Sequence, residues 1–193
     1  MSMVQIHTLS VADFKHTMRN NDLYDGTVES VPELAVISIG NSFDDFDPDD
    51  IFSNGPSSRW FRRPHPNVLN LTFDDITSPE RWKLLSSFGK GAASCAGDQS
   101  GRDSDGKDGA SVERDYVLFD DDMARELAAF VDANIHVRTW IVHCSAGVSR
   151  SGAVSRWLKD WLWLKHGIEA VNVDGKYAVP NAHVLAVLDR MMH

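Results

Sequence analysis

The feature that most constrains this chain is a junction. The apolar run Thr139-Trp140-Ile141-Val142 leads straight into ten residues, His143 to Gly152 (HCSAGVSRSG), and then into a segment suited to a helix. A strand ending at His143, a tight small-residue loop and a helix beginning near Ser149 belong together in folds that alternate buried strands with helices. The geometry also has a chemical consequence. Successive backbone N–H groups and a helix N-terminus point at one spot, which is an anion site.

The rest of the chain reads the same way. Ser10 is placed to cap a helix running to about Met18, and residues 33–39 form an apolar strand ending at Gly40 and Asn41. Residues 68–73 form a strand, followed by a helix from Pro79 to Phe88. Further on come a helix at 121–134, the strand at 138–143 and a long helix from Ser149 to Lys165 that stops at Gly167. Asn181 caps a final helix to Met191. These elements predict an α/β fold with a central, mostly parallel sheet flanked by helices. With 193 residues, 42% of them apolar, the chain is expected to form one domain, 1–193, around a real core. An insertion around 83–117 interrupts it, with a flexible Gly/Ser/Asp-rich centre at about 92–112. The loop after His143, at the C-terminal end of a strand, is where open sheets bind ligands.

Cys144 offers a thiolate, but a free thiol near pKa 8.5 is mostly protonated at neutral pH. Loop amides, the positive end of a helix and the nearby Arg150 all favour the S⁻ form. The amides of Ser145, Ala146, Gly147, Val148, Ser149 and Arg150 would hold a phosphate against that sulfur. Arg150 can grip two of its oxygens with a planar fork. Ser151 can hydrogen-bond the sulfur as it leaves a covalent intermediate, and Gly147 permits close backbone approach or a positive φ. Together these parts suit nucleophilic attack on phosphorus through a phosphocysteine. The bland alternative is a core cysteine before a turn, with Arg150 solvated. Two competing motifs fail on the residues. Gly147 and Gly152 have nucleotide P-loop spacing, but Ala153 replaces its lysine, and no G-x-S-x-G elbow is present.

At these positions the chain resembles the cysteine-based protein phosphatases. His143, Cys144, Gly147, Arg150 and Ser151 match their signature, HCxxGxxR followed by Ser or Thr. It is most similar to the compact dual-specificity branch of bacterial or phage type. Phe73-Asp74-Asp75-Ile76 resembles the F-x-D-I element after a core strand of such members, and Pro180-Asn181 resembles their C-terminal pattern. The likeness spans about 33–193, with a divergent middle. It implies a metal-independent phosphatase with no cofactor, acting on phosphotyrosine or on phosphoserine and phosphothreonine as well. It also implies that His143 orients the loop and tunes the thiolate.

The leaving oxygen of a phosphate ester needs a proton from a carboxylic acid on a neighbouring loop. By the resemblance this is Asp75, with Asp74 as the alternative; either could instead cap the turn before Ser78-Pro79-Glu80. Asp75 stands 69 residues before Cys144, about twice the separation usual in the branch. The run Asp120-Asp121-Asp122 lies closer, but acids there also complement a helix dipole.

The net charge of −9 argues against nucleic acid as the main partner; a phosphorylated protein or peptide is the partner that the resemblance implies. No apolar stretch approaches a membrane span, no secretory layout opens the chain, and two cysteines make no disulfide framework. A cytoplasmic protein is the expectation. By the same resemblance, phosphoinositide members tend to carry lysines inside the loop, so the uncharged Ser145, Ala146, Val148 and Ser149 weigh weakly against a phosphoinositide substrate. A lipid or RNA phosphatase, a phosphate-reading module and a sulfurtransferase remain the other readings. The acidic stretch Asp44 to Asp50 reads as a solvated loop. Asp103-Ser104-Asp105 begins like a calcium loop, but Arg114 replaces its closing Glu. Cys95 is either a resolving thiol for oxidised Cys144 or an incidental surface cysteine. Arg59-Trp60-Phe61-Arg62-Arg63-Pro64-His65 is a basic-aromatic patch that either attracts phosphorylated substrate or simply packs as a loop.

Overall fold

The structure, a computed structural model, describes residues 3–44, 51–83, 116–174 and 179–193. In chain order its elements are β1 (Val4–Ser10), α1 (Val11–Asn20), β2 (Leu34–Gly40), β3 (Val68–Thr72), α2 (Asp121–Ala133), β4 (Thr139–Cys144), α3 (Arg150–His166), β5 (Ala170–Asn172) and α4 (Ala182–Arg190). Residues 79–83 are also helical, at the start of the helix expected over Pro79 to Phe88. The strands form one sheet in the order β3-β2-β4-β1-β5, and every pairing is parallel. The architecture is therefore α/β, as its alternating pattern predicts. Residues 84–115 of the 83–117 insertion, including Cys95 and Asp103 to Arg114, lie outside the described residues, as does most of the acidic stretch after Asp44.

Two strands escape the sequence pattern, for different reasons. β1 ends at Ser10 and α1 begins at Val11, so no turn residues separate them; Ser10 closes the strand and also caps the helix by accepting from the Asp13 amide. Gln5, His7 and Thr8 also break its apolar character. β5 has only three residues, too few for a period-two signal.

Both faces of the sheet are covered, which is why β2 is buried at all seven positions. Ala35, Ile37, Ile39, Trp140 and Val142 point into a core shared with Leu127 and Val131 of α2, Trp157 and Leu158 of α3, and Val184 and Leu188 of α4. Leu34, Val36 and Ile141 point the other way, toward Phe14 and Met18 of α1 and Phe61 of the loop before β3. Thr8 donates to Ser155 Oγ at 2.8 Å, satisfying two hydroxyls where β1 meets α3. α3 ends on Gly167 in the left-handed conformation, whose amide bonds back into the last turn. Among the described residues no helix is long and apolar enough to cross a membrane. Because all strands run one way, the ends of β1, β2, β3 and β4 open on a single edge.

Candidate active site

β4 is the middle strand of the five, and Cys144 is its last residue. The loop that follows is held by its neighbours on both sides. Toward β1, the Val11 amide donates to Ser145 O at 3.1 Å. Gly147 adopts φ +71° against the same corner, where a Cβ would lie 2.5 Å from the Ser10 nitrogen and 2.6 Å from the Leu9 carbonyl carbon. Both its conformation and its neighbours demand glycine. Toward β2, Ser145 Oγ accepts from Asn54 Nδ2 at 3.0 Å and lies 3.2 Å from Asn41 Oδ1. Asn54 is itself fixed on Ile39 O at 2.9 Å.

The Cys144 sulfur is buried, and the Ser151 hydroxyl lies 3.1 Å from it. Burial pushes the thiol up. The Ser151 hydrogen bond, the Arg150 guanidinium and the amides of Ser151 and Gly147 push it down, and together they prevail, so the thiol sits below its ordinary value. Of the amides expected to form the anion cradle, that of Gly147 is among the groups that favour the ionised sulfur.

Arg150, at 3% exposure, is the first residue of α3. Its Nη1 donates to Phe73 O at 2.6 Å and Gly40 O at 3.3 Å, the carbonyls at the ends of β3 and β2. Its Nη2 donates to Ser145 Oγ at 2.8 Å and Asn41 Oδ1 at 2.9 Å. Among the described residues, buried Nε alone of its nitrogens has no partner. This differs from a guanidinium with its whole fork free for an anion. One edge anchors the sheet ends, and the orphaned Nε is the donor available to a ligand.

The two adjacent carboxylates divide sharply. Asp74 is buried and accepts from the Ser42 amide at 3.1 Å, the Ser42 hydroxyl and the Val117 amide at 2.8 Å, so it staples the loop after β2 to the segment before α2. Asp75 is exposed, and its Oδ1 accepts from Ser149 Oγ at 2.7 Å and Asn181 Nδ2 at 2.8 Å. The structure therefore brings Asp75, and not Asp74, to the rim of the cysteine loop. The 120–122 run is occupied elsewhere. Asp120 caps α2 through the Met123 amide, Asp121 pairs with Arg190 at 2.6 Å, and Asp122 pairs with Arg125.

His143 is stacked on Phe14 with ring centroids 3.8 Å apart, and its Nε2 meets Ser38 Oγ at 2.8 Å. Burial pushes its pKa to about 3; the Cys144 backbone opposes this, while Lys15 and Arg150 reinforce it. The imidazole is neutral and shapes the floor of the loop by packing.

The sequence did not single out Asn54, Ser38 or Ser42 for the site, and it read Asn41 only as a strand end. Ser38 lies on β2, and Asn41, Ser42 and Asn54 lie on the connection that follows it, so only the pairing of β2 with β4 brings them to the cysteine loop. Asn181 was visible as a helix cap, and it does accept from the His183 and Val184 amides. Its second role, tying Asp75 and the Ser149 carbonyl to α4, carries no sequence signal. Compared with known proteins, the chain matches no family profile, no curated protein and no solved structure.

Proposed function

We propose that this chain is a cysteine-dependent phosphomonoester hydrolase of the protein tyrosine or dual-specificity type, acting in the cytoplasm on phosphorylated protein or peptide. One observation carries the reading. A thiol held below its ordinary value lies between Ser151, the buried Arg150 and the loop amides, with the Asp75 carboxylate bonded to the same loop at Ser149.

In the first step the Cys144 thiolate attacks phosphorus. The P–S bond forms as the P–O ester bond breaks, and Asp75 in its acid form delivers a proton to the departing oxygen. One phosphate oxygen takes Arg150 Nε; a second displaces Asn41 or Ser145 from Nη2. In the second step Asp75, now a carboxylate, takes a proton from water. The hydroxide attacks phosphorus, inorganic phosphate departs, and the Ser151 hydroxyl stabilises the returning thiolate.

The test is hydrolysis of a small aryl phosphate in the presence of a chelator. Cys144→Ser should abolish turnover, and Asp75→Asn should cut kcat by about 10²-fold or more. A Cys144→Ser protein with wild-type turnover would reject the proposal.

A further inference from the structure

The basic-aromatic patch turns out to be two things. Its aromatic and histidine residues pack. Phe61 is buried against Phe14, Trp60 Nε1 donates to Leu23 O at 2.7 Å, and His65 bridges Asp25 and Glu29. Its arginines do not pack in this sense. Arg62 and Arg63 are exposed, and their backbone amides are held by Asp25 at 3.1 and 3.3 Å, so that carboxylate fixes the main chain and leaves the guanidinium groups displayed. Arg62 Nη2 donates to Ser57 O at 3.2 Å, and Arg59 Nη2 donates to Thr72 Oγ1. Among the described residues, none of the three guanidinium groups lies within ion-pair distance of a carboxylate, in a chain of 28 acids and 19 bases.

The three arginines border an open cavity of about 330 Å³ together with Asn70 and Glu126. Glu126 is the single carboxylate on that wall. Arg59 and Arg62 also border a neighbouring hollow of about 400 Å³ with Ser57. Burial alone holds the Arg59 guanidinium below its usual range, as expected of a half-buried cation with no counter-ion.

The cavity lies along the first three residues of β3, Val68 to Asn70, and its Arg59 side is the one tied toward the cysteine loop. Asn54, on the same loop as Arg59, bonds Ser145. Thr72, bonded to Arg59, is three residues before Asp75, a span of at most about 11 Å of chain. Resting on the phosphatase reading above, we propose that Arg59, Arg62 and Arg63 form a second anion subsite. It receives an acidic or phosphorylated residue of a peptide whose phosphotyrosine occupies the Cys144 loop. An extended peptide advances about 3.3 Å per residue, so the second anion stands about three to five residues away. A peptide suits the site better than a nucleic acid, because an isolated basic island matches one or two anionic groups, whereas a polyanion would meet a chain of net charge −9.

The experiment measures binding, using fluorescence anisotropy with the full chain carrying Cys144→Ser. One labelled phosphotyrosyl peptide has neutral flanks, a second carries two glutamates four residues away, and a third carries phosphoserine there. A fourth has the glutamates but no phosphotyrosine. The acidic and doubly phosphorylated peptides should bind about tenfold tighter than the neutral one. Arg62→Ala/Arg63→Ala, and separately Arg59→Gln, should erase that advantage while leaving the neutral peptide within about twofold. An equal gain from glutamate and phosphoserine identifies a site for charge; a larger gain from phosphoserine identifies one for phosphate. An acidic peptide that binds no tighter, or an advantage that survives the double variant, would overturn the subsite. Failure of the neutral phosphotyrosyl peptide to bind would instead strike at the Cys144 loop, and arginine-dependent binding of the fourth peptide would still report the subsite.

Discussion

At the scale of single residues, position divides like from like. Asp74 and Asp75 are neighbours of the same chemistry, yet one faces inward to three donors and the other stands at the loop's rim. Asp74→Asn should therefore cost stability, about 1–3 kcal/mol from its buried bonds, while Asp75→Asn should cost turnover and little stability; paired melting curves and rates distinguish the two. Asn181, 1% exposed, offers a finer test. Asn181→Asp keeps the oxygen that caps α4 but places a carboxylate against Asp75 in place of the Nδ2 donor. A like charge favours the protonated form of its neighbour, and the general acid must be protonated to act, so the alkaline limb of the pH–rate profile should move upward, with helix stability held within about 1 kcal/mol. An unmoved profile would show that Asn181 does not act on Asp75. For Cys144, whose thiol is held low, inactivation by iodoacetamide should persist well below pH 8.5; a midpoint at the ordinary value would contradict the hydrogen-bonded sulfur.

At the scale of elements, the cysteine loop depends on a corner of β1 that its own sequence does not reveal. Gly147→Ala would force a Cβ into the Ser10 nitrogen at a positive φ, so it should destabilise the fold by about 2 kcal/mol or more and disable the loop, read together by thermal melting and activity. The signature segment was legible because its residue types are dictated by local geometry: a strand, a tight loop and a helix start. Asn41, Asn54 and Ser38 were not, since their relation to Cys144 exists only once β2 lies beside β4. β1 was hidden by its direct passage into α1. The patch at 59–65 was legible as basic and aromatic, but only the packed structure separates its buried rings from its displayed arginines. Within that loop, the His65 side chain is 4% exposed between Glu29 and Asp25, and hydrogen bonds to both raise its pKa above the ordinary 6.5. A raised histidine contributes stability that is fully present below the unfolded pKa near 6.5 and is lost as pH rises through the higher folded value. His65→Gln should thus lower Tm most at pH 6 and progressively less at higher pH; a constant deficit would show that protonation plays no part.

At the scale of the whole molecule, a parallel sheet collects the ends of four strands on one edge. Each end contributes something the cysteine loop needs. β1 supplies the corner for Gly147, β2 and β3 the carbonyls that anchor Arg150, and β4 ends on Cys144 itself. The chain after α3 returns to the same edge through Asn181. With strands in another order, the same sequence motif would be a cysteine before a turn. The central claim is that this edge performs covalent phosphoryl transfer, and the most direct measurement is rapid acid quench with an aryl phosphate, followed by mass spectrometry of the cysteine peptide. Because an aryl oxide with a good leaving group departs without a general acid whereas hydrolysis of the intermediate still needs Asp75 as base, Asp75→Asn should accumulate a phosphate adduct on Cys144. Wild type should show it only transiently. Turnover with no adduct on Cys144 in either protein, or an adduct on another residue, would contradict the account.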